Sequence, residues 1–193
     1  MKYIKPSLIL AFLYLASPLV WAEAQLLGEK SSIRFVSVKN AAVAEVHRFP
    51  VMKGRLSDEG RAEISISLAD VATMIPIRDE RMRELFFEVA TFPFASIDAD
   101  VDLEKVNALK NGQYAVMEVL FELDLHGTTQ MMKTDVEVSR MGKELHVSTL
   151  QPLVINAGSF GLVEGVERLR EVAGLQNIST AVPVTATLVF AYE

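Results

Sequence analysis

Gln113-Tyr114-Ala115-Val116-Met117-Glu118-Val119-Leu120-Phe121-Glu122-Leu123-Asp124-Leu125 is the longest alternating run in the chain, and His126-Gly127-Thr128-Thr129 follows it at once. Met117, Val119, Phe121, Leu123 and Leu125 share one face; Glu118, Glu122 and Asp124 share the other. A period of two is the mark of a half-buried β-strand. The His126-Gly127 pair makes a turn. Thr128 to Arg140 returns as the partner strand, with Met132, Thr134, Val136 and Val138 set against Met131, Lys133, Asp135 and Glu137. A long hairpin with one wet face places the chain in the all-β class.

The same period extends both ways. Upstream, Ser31 to Asn40 alternates. Ala42 to Leu56 is strand-like but interrupted at Pro50, and Ala62 to Ala69 is a clean strand after the turn Ser57-Asp58-Glu59-Gly60. Phe92 to Val101 sets Ala95, Ile97, Ala99 and Val101 against Phe94, Ser96, Asp98 and Asp100, and Lys110-Asn111-Gly112 then turns the chain. Downstream, Glu144 to Ile155 is a strand broken at Pro152, and Thr180 to Tyr192 alternates to the end. This gives seven or eight antiparallel strands. So many long strands with tight turns suit a closed barrel better than an open sheet with bare edges. The expected fold is an eight-stranded antiparallel, lipocalin-like barrel with two short helical insertions; alternation leaves a β-sandwich open.

The first insertion is Arg78 to Phe87. Asp79 is placed to cap its start, and Asp79–Arg83 and Arg81–Glu84 are spaced to pair. Met82, Leu85, Phe86 and Val89 form an apolar stripe, and Pro93 ends the segment. The second fits Val163 to Ala173, with Val163, Val166, Leu169, Val172 and Ala173 on one face and Gly174 as the stop.

Residues 1–22 read as a cleaved secretory signal: Lys2 and Lys5, an apolar run from Ser7 to Val20, then Val20-Trp21-Ala22; cleavage after Ala24 is the alternative. Residues 23–193 form one domain, and the expected location is the periplasm. Loss of Lys2 and Lys5 lowers the 19 Lys and Arg to 17 against 25 Asp and Glu, so the net charge moves from −6 to −8. Such a surface does not invite nucleic acid or anionic lipid headgroups. The absence of cysteine excludes disulfides, thiol chemistry and thiolate metal sites.

No catalytic or metal motif is present. His47, His126 and His146 match no metal spacing, and Ser159-Phe160-Gly161 is not a nucleophile elbow. No metal, cofactor or catalytic residue is expected.

Three blocks resemble the YceI-like family of exported, lipocalin-like proteins whose known members bind polyisoprenoid lipids. They are Arg78-Asp79-Glu80-Arg81-Met82-Arg83 with Phe86-Phe87-Glu88-Val89 and Phe92-Pro93; Phe121 to Thr129 around His126-Gly127; and Ile155-Asn156 through Phe160-Gly161. The order and spacing match from about Ser31 to Tyr192. The chain departs from the family pattern at Asn40 and Arg81, where His is usual, at Leu85, where an acid is common, and at Ala157 and Ser159, where Arg and Asp are usual.

The resemblance implies an eight-stranded barrel around a hydrophobic tunnel, a non-catalytic carrier of an isoprenoid quinone or polyprenyl phosphate. Expected walls are Phe35, Ile66, Ile97, Met117, Val119, Phe121, Leu188 and Phe190. Phe86 and Phe87 are placed near the mouth, Phe160 near the second insertion, and Arg78 where it would meet an anionic head. The expected partner is an isoprenoid lipid, with no nucleic acid and no stable membrane insertion after signal cleavage; a homodimer stays open. Two rival readings remain: a solid-cored envelope stress or interaction protein, and a small hydrolase or isomerase using His47 or His126 with a strand carboxylate.

Overall fold

Eight antiparallel paths, three of them broken once, run up and down in chain order and close on themselves. The structure is a computed structural model and describes residues 23–192; the expected signal peptide lies outside them. The first path is β1 (Ala24–Leu26), a single 3-10 turn, then β2 (Ser32–Lys39). The second is β3 (Val43–Phe49) and β4 (Met52–Leu56), broken where the sequence places Pro50. There follow β5 (Arg61–Ser67), β6 (Phe94–Asp100), β7 (Tyr114–Leu125) and β8 (Thr128–Met141). The seventh path is β9 (Glu144–Thr149) and β10 (Leu153–Asn156), broken before Leu153 by Pro152. The last is β11 (Ala181–Tyr192), which pairs with β9 and β10 on one side and with β1 and β2 on the other. That double pairing closes the barrel.

The β7–β8 register runs from Tyr114↔Ser139 to Leu125↔Thr128 without a bulge. His126 and Gly127 both have positive φ, 55° and 72°, as a two-residue turn matched to strand twist requires. The buried positions of β7 are Met117, Phe121 and Leu123, in phase with the alternation. Three connections cross the end of the barrel that carries this turn: the β2–β3 turn, the long β5–β6 link and the β10–β11 link. The opposite end carries the β4–β5 and β8–β9 turns and α2 (Leu103–Ala108). That third helix was not among the expected insertions, although Asp102 caps it by accepting from the Lys105 amide at 3.1 Å.

The first insertion differs in detail. It starts earlier, as α1 (Pro76–Arg81), because Pro76 suits the first helical position and Ile75 takes the cap. Asp79 therefore lies inside the helix. Its carboxylate turns back to the Thr73 amide at 2.8 Å and to the Thr73 hydroxyl instead of capping. The expected Asp79–Arg83 and Arg81–Glu84 pairs are absent among the described residues. From Met82 to Phe86 the helix widens into one π turn, with the Phe87 amide donating to the Met82 carbonyl. The extra residue per turn brings Phe87, 4% exposed, onto the buried face of Met82.

The second insertion is α3 (Val163–Val172), closed by Gly174 at φ 63°. Val166 is buried and Leu169 packs against the core, but Val163 and Val172 stay 46% exposed, so the apolar stripe is narrower than expected. Gly165 lets α3 touch the π turn: a Cβ there would sit 3.0 Å from the Phe86 ring. Among the described residues no helix is long and apolar enough to cross a membrane.

A Cβ on Gly127 would stand 2.8 Å from the Phe92 ring, whereas one on Gly142 (φ 63°) would meet nothing within 4 Å. Gly142→Ala is therefore expected to lose about 1 kcal/mol from backbone strain alone, and Gly127→Ala clearly more. Urea unfolding midpoints of the two variants check this, and equal losses would remove Phe92 from the account.

Candidate functional site

The inward side chains of a closed eight-stranded sheet either fill the barrel or leave room. Here they leave room. An apolar cavity of about 550 Å³, lined by side chains from all around the barrel, lies inside it, within the ordinary range of ligand sites. β7 has 12 residues, and at ~3.4 Å each, tilted by ~40°, this gives a barrel ~30 Å tall. Small inward residues account for the space: Ala62, Ala95, Ala99 and Ala186 all line it. At the α2 end it is stoppered by Val106, 1% exposed, among Leu56, Val101 and Leu145.

Of the expected walls, Phe35, Ile66, Ile97, Met117, Val119, Phe121, Leu188 and Phe190 all border the cavity. Phe86, Phe87 and Arg78 border it near α1. Phe160 does not. It is 1% exposed in the 3-10 turn Ala157–Phe160, where it fills core. Its block, Ile155 to Gly161, and its place beside the second insertion make it a candidate, but Phe160 is buried in the core and does not border the cavity.

The open end is where the polar side chains gather. Arg78 donates to Glu45 at 2.7 Å and to the Thr73 carbonyl at 2.6 Å, and Lys39 reaches the same Glu45 oxygen at 2.7 Å. The Lys39 ammonium, with Arg78 behind it, holds the Glu45 carboxyl below the usual carboxylate range. His47 is 3% exposed, tilted against Phe35, with Nε2 2.8 Å from the Ser37 hydroxyl. Its Nδ1 has no partner among the described residues. Burial, then the positive charge of Arg78, pushes its pKa down, so the ring is held neutral. Sequence reasoning considered His47 only as a catalytic or metal candidate. Its inward position in β3, in register with Phe35, was the signal that it belongs to the cavity wall.

The other histidines lie elsewhere. His126 meets Glu88 at 3.1 Å and packs its ring, tilted by 46°, against Phe92, and Arg168 of α3 reaches the other Glu88 oxygen at 2.9 Å. Arg168 first and His126 second hold the Glu88 carboxyl low. This cluster ties the β7–β8 turn, the π turn and α3 together over one end of the barrel. His146 pairs with Glu144 on the outer face of β9. The three are therefore not gathered into one site. Two of the departures from the family pattern, Arg81 and Ala157, border the cavity.

The sign of the His47 effect follows from its depressed pKa. Between its folded value and the ordinary 6.5, the unfolded chain binds the proton and the folded one does not, so stability falls as pH drops below 6.5. The facing charges are Arg78 and Lys39 against Glu45 and Asp79. His47→Phe is expected to flatten the decline just below pH 6.5 in a series of urea midpoints. A slope identical to wild type there would show that another group carries it.

Comparison with solved structures returns the same architecture. A polyisoprenoid binding domain from Saccharophagus degradans implicated in plant cell wall breakdown is 38% identical, with a TM-score of 0.86 over 89% of this chain and 99% of that one. BcnA of Burkholderia cenocepacia, 16% identical, shares the fold at a TM-score of 0.65 over 85% of this chain and 98% of that one. No curated protein matches. The YceI-like domain model aligns with residues 25–190, nearly the whole described barrel, and the chain belongs to the YceI-like family.

Proposed function

We propose that the protein is a non-catalytic carrier that holds one long isoprenoid lipid along the barrel axis, in the periplasm after removal of residues 1–22. The observation that carries this reading is the 550 Å³ cavity, walled by apolar side chains and bordered by charge at one end only. A slender chain is the ligand such a shape accepts. At about 0.8 kcal/mol per buried CH₂, a tail of several isoprene units gains enough to bind without polar anchors. The similarity to a polyisoprenoid binding domain supports the same ligand class.

The head group would sit at the open end. Both cations beside Glu45 are already engaged, and Arg78 also serves the Thr73 carbonyl. Arg81 also borders the cavity and enters no ion pair among the described residues, so a phosphate head could meet it without breaking these pairs, and a neutral quinone ring could lie beside it and His47. The open end therefore admits either an isoprenoid quinone or a polyprenyl phosphate. The open cavity also weighs against the solid-cored interaction protein. The pairing of Glu88 with both His126 and Arg168 is accounted for by its place between three elements, with no chemistry invoked.

Native mass spectrometry of the protein from its own host, with organic extraction, tests the reading. A one-to-one adduct releasing an isoprenoid is expected. A mass without adduct, unchanged by incubation with quinones and polyprenyl phosphates, would falsify it. Ala95→Phe and Ala99→Phe, which put a ring into the cavity, are expected to abolish the adduct while costing about 1–3 kcal/mol of stability.

A further inference from the structure

Three apolar segments meet around the open end of the cavity. The β2–β3 tip exposes Ala41, Ala42, Val43 and Ala44 in succession. The link before α1 and the helix's first turn expose Met74, Ile75, Pro76 and Ile77, with Met74 at 83%. The end of α3 exposes Val172 and Ala173. On the β7–β8 wall exposed apolar side chains stand beside charges: Leu120 lies opposite Lys133, and Met131 opposite Glu122. Scattered residues of that kind are ordinary; contiguous ones are not.

Part of the rim's polarity is tied up in hydrogen bonds between its segments, while Asn40 and Asn177 stay exposed and Glu171 stands beside Val172. The Asn40 side chain accepts from the Gln176 amide at 2.9 Å, and Asn177 accepts from the Ala41 amide at 3.0 Å. The Asn40 amide donates to the Asn177 carbonyl at 3.0 Å. Thr73 is held by Asp79 and Arg78. Met74 keeps a left-handed backbone, φ 65°, which a non-glycine residue adopts only under such constraint. The rim thus shows apolar side chains outward with its polar groups partly bonded to one another, which suits the headgroup–acyl boundary and not the hydrocarbon core. It is also continuous with the cavity: Ile75, Ile77 and Ala173 are exposed and border the cavity as well.

We infer that this rim is a docking surface for a lipid bilayer, dipping Val43, Met74 and Val172 into the headgroup–acyl boundary so that a tail passes between membrane and cavity without crossing water. The inference rests on the carrier reading. A protein seated on the rim would stopper the cavity it surrounds, whereas a bilayer extends the same apolar medium.

The chain has no native cysteine. Single replacements Val43→Cys, Met74→Cys and Val172→Cys in the complete chain therefore carry a polarity-sensitive thiol dye at the rim, and Glu59→Cys and Lys143→Cys carry it at the α2 end. With dioleoylphosphatidylcholine vesicles free of isoprenoid, the three rim labels are expected to shift blue and saturate while the far-end labels stay constant. β1 starts at the α2 end, so attraction acting through residues 1–22 would move the far-end labels instead and overturn the proposal. Silent rim labels would overturn it too, as would a rim shift that needs only higher protein concentration, the sign of a second copy on the rim. The triple variant Val43→Asp, Met74→Asp, Val172→Asp alters exposed side chains that do not border the cavity, and is expected to keep the wild-type Tm. It is expected to partition into vesicles at least about tenfold less; unchanged partitioning would also refute docking. The isoprenoid adduct is measured without membranes. Docking therefore fails alone if the adduct persists and the rim is silent, and the carrier reading fails alone in the opposite case.

Discussion

Everything in this molecule hangs on the hydrogen bonds that β11 makes along both of its edges. On one side it takes Glu144 to Ser148 of β9 and then Leu153 to Asn156 of β10; on the other it takes β1 and then Ser32 to Phe35 of β2. Every path finds a neighbour on both sides, through β4 and β9 where β3 and β10 pair along one edge only, so the side wall of the inner face is closed and only the ends stay to be covered. Once that is so, the size of the inward side chains alone decides whether the interior is solid. Alanines at 62, 95, 99 and 186 keep it open.

The two ends of the tube are handled by different physics. At the α2 end the stopper is hydrophobic: Val106 is almost wholly buried, and the Arg140 guanidinium lies over the Tyr192 ring and reaches the Val106 carbonyl at 3.4 Å. At the other end a polar network sets the geometry. Each ion pair there is partly exposed and worth little singly. Their value is positional, since Glu45 fixes Arg78, Arg78 fixes the Thr73 carbonyl, and Asp79 fixes the Thr73 amide. Glu88 plays the same part for the β7–β8 turn and α3.

The strands were legible because a half-buried strand writes its two faces into alternate residues, as Met117 to Leu125 do. Pro50 and Pro152 marked two breaks for the same local reason: neither can donate to a ladder. Less legible was whatever depended on tertiary packing. The widening at Met82–Phe86 leaves no propensity signature, so the stripe through Phe86 was offset by one residue from the face that Phe87 completes. Helix α2 was within reach, since Asp102 followed by Leu103, Glu104 and Lys105 is a capped start, but a helix of six residues has too short a period to register. Phe160 was chosen for its size and block, and nothing local distinguishes a core aromatic from a wall aromatic. His47 was weighed for chemistry because histidine invites it, although its parity with Phe35 across β2 and β3 pointed to the cavity.

Closure through β11 has a further consequence for how the chain reaches this state. The meander from β3 to β9 is built from neighbours in sequence, and its hairpins can form early and locally. The seam joins Ala24 to Tyr192, the first described strand to the last, and nothing seals until that contact is made. Loop closure over such a span costs entropy before any contact repays it. Until then the chain is a curved sheet with two sticky margins and an apolar concave side. In that form its two margins can pair with other chains, so the one long-range seam is also what keeps the finished molecule from joining its neighbours.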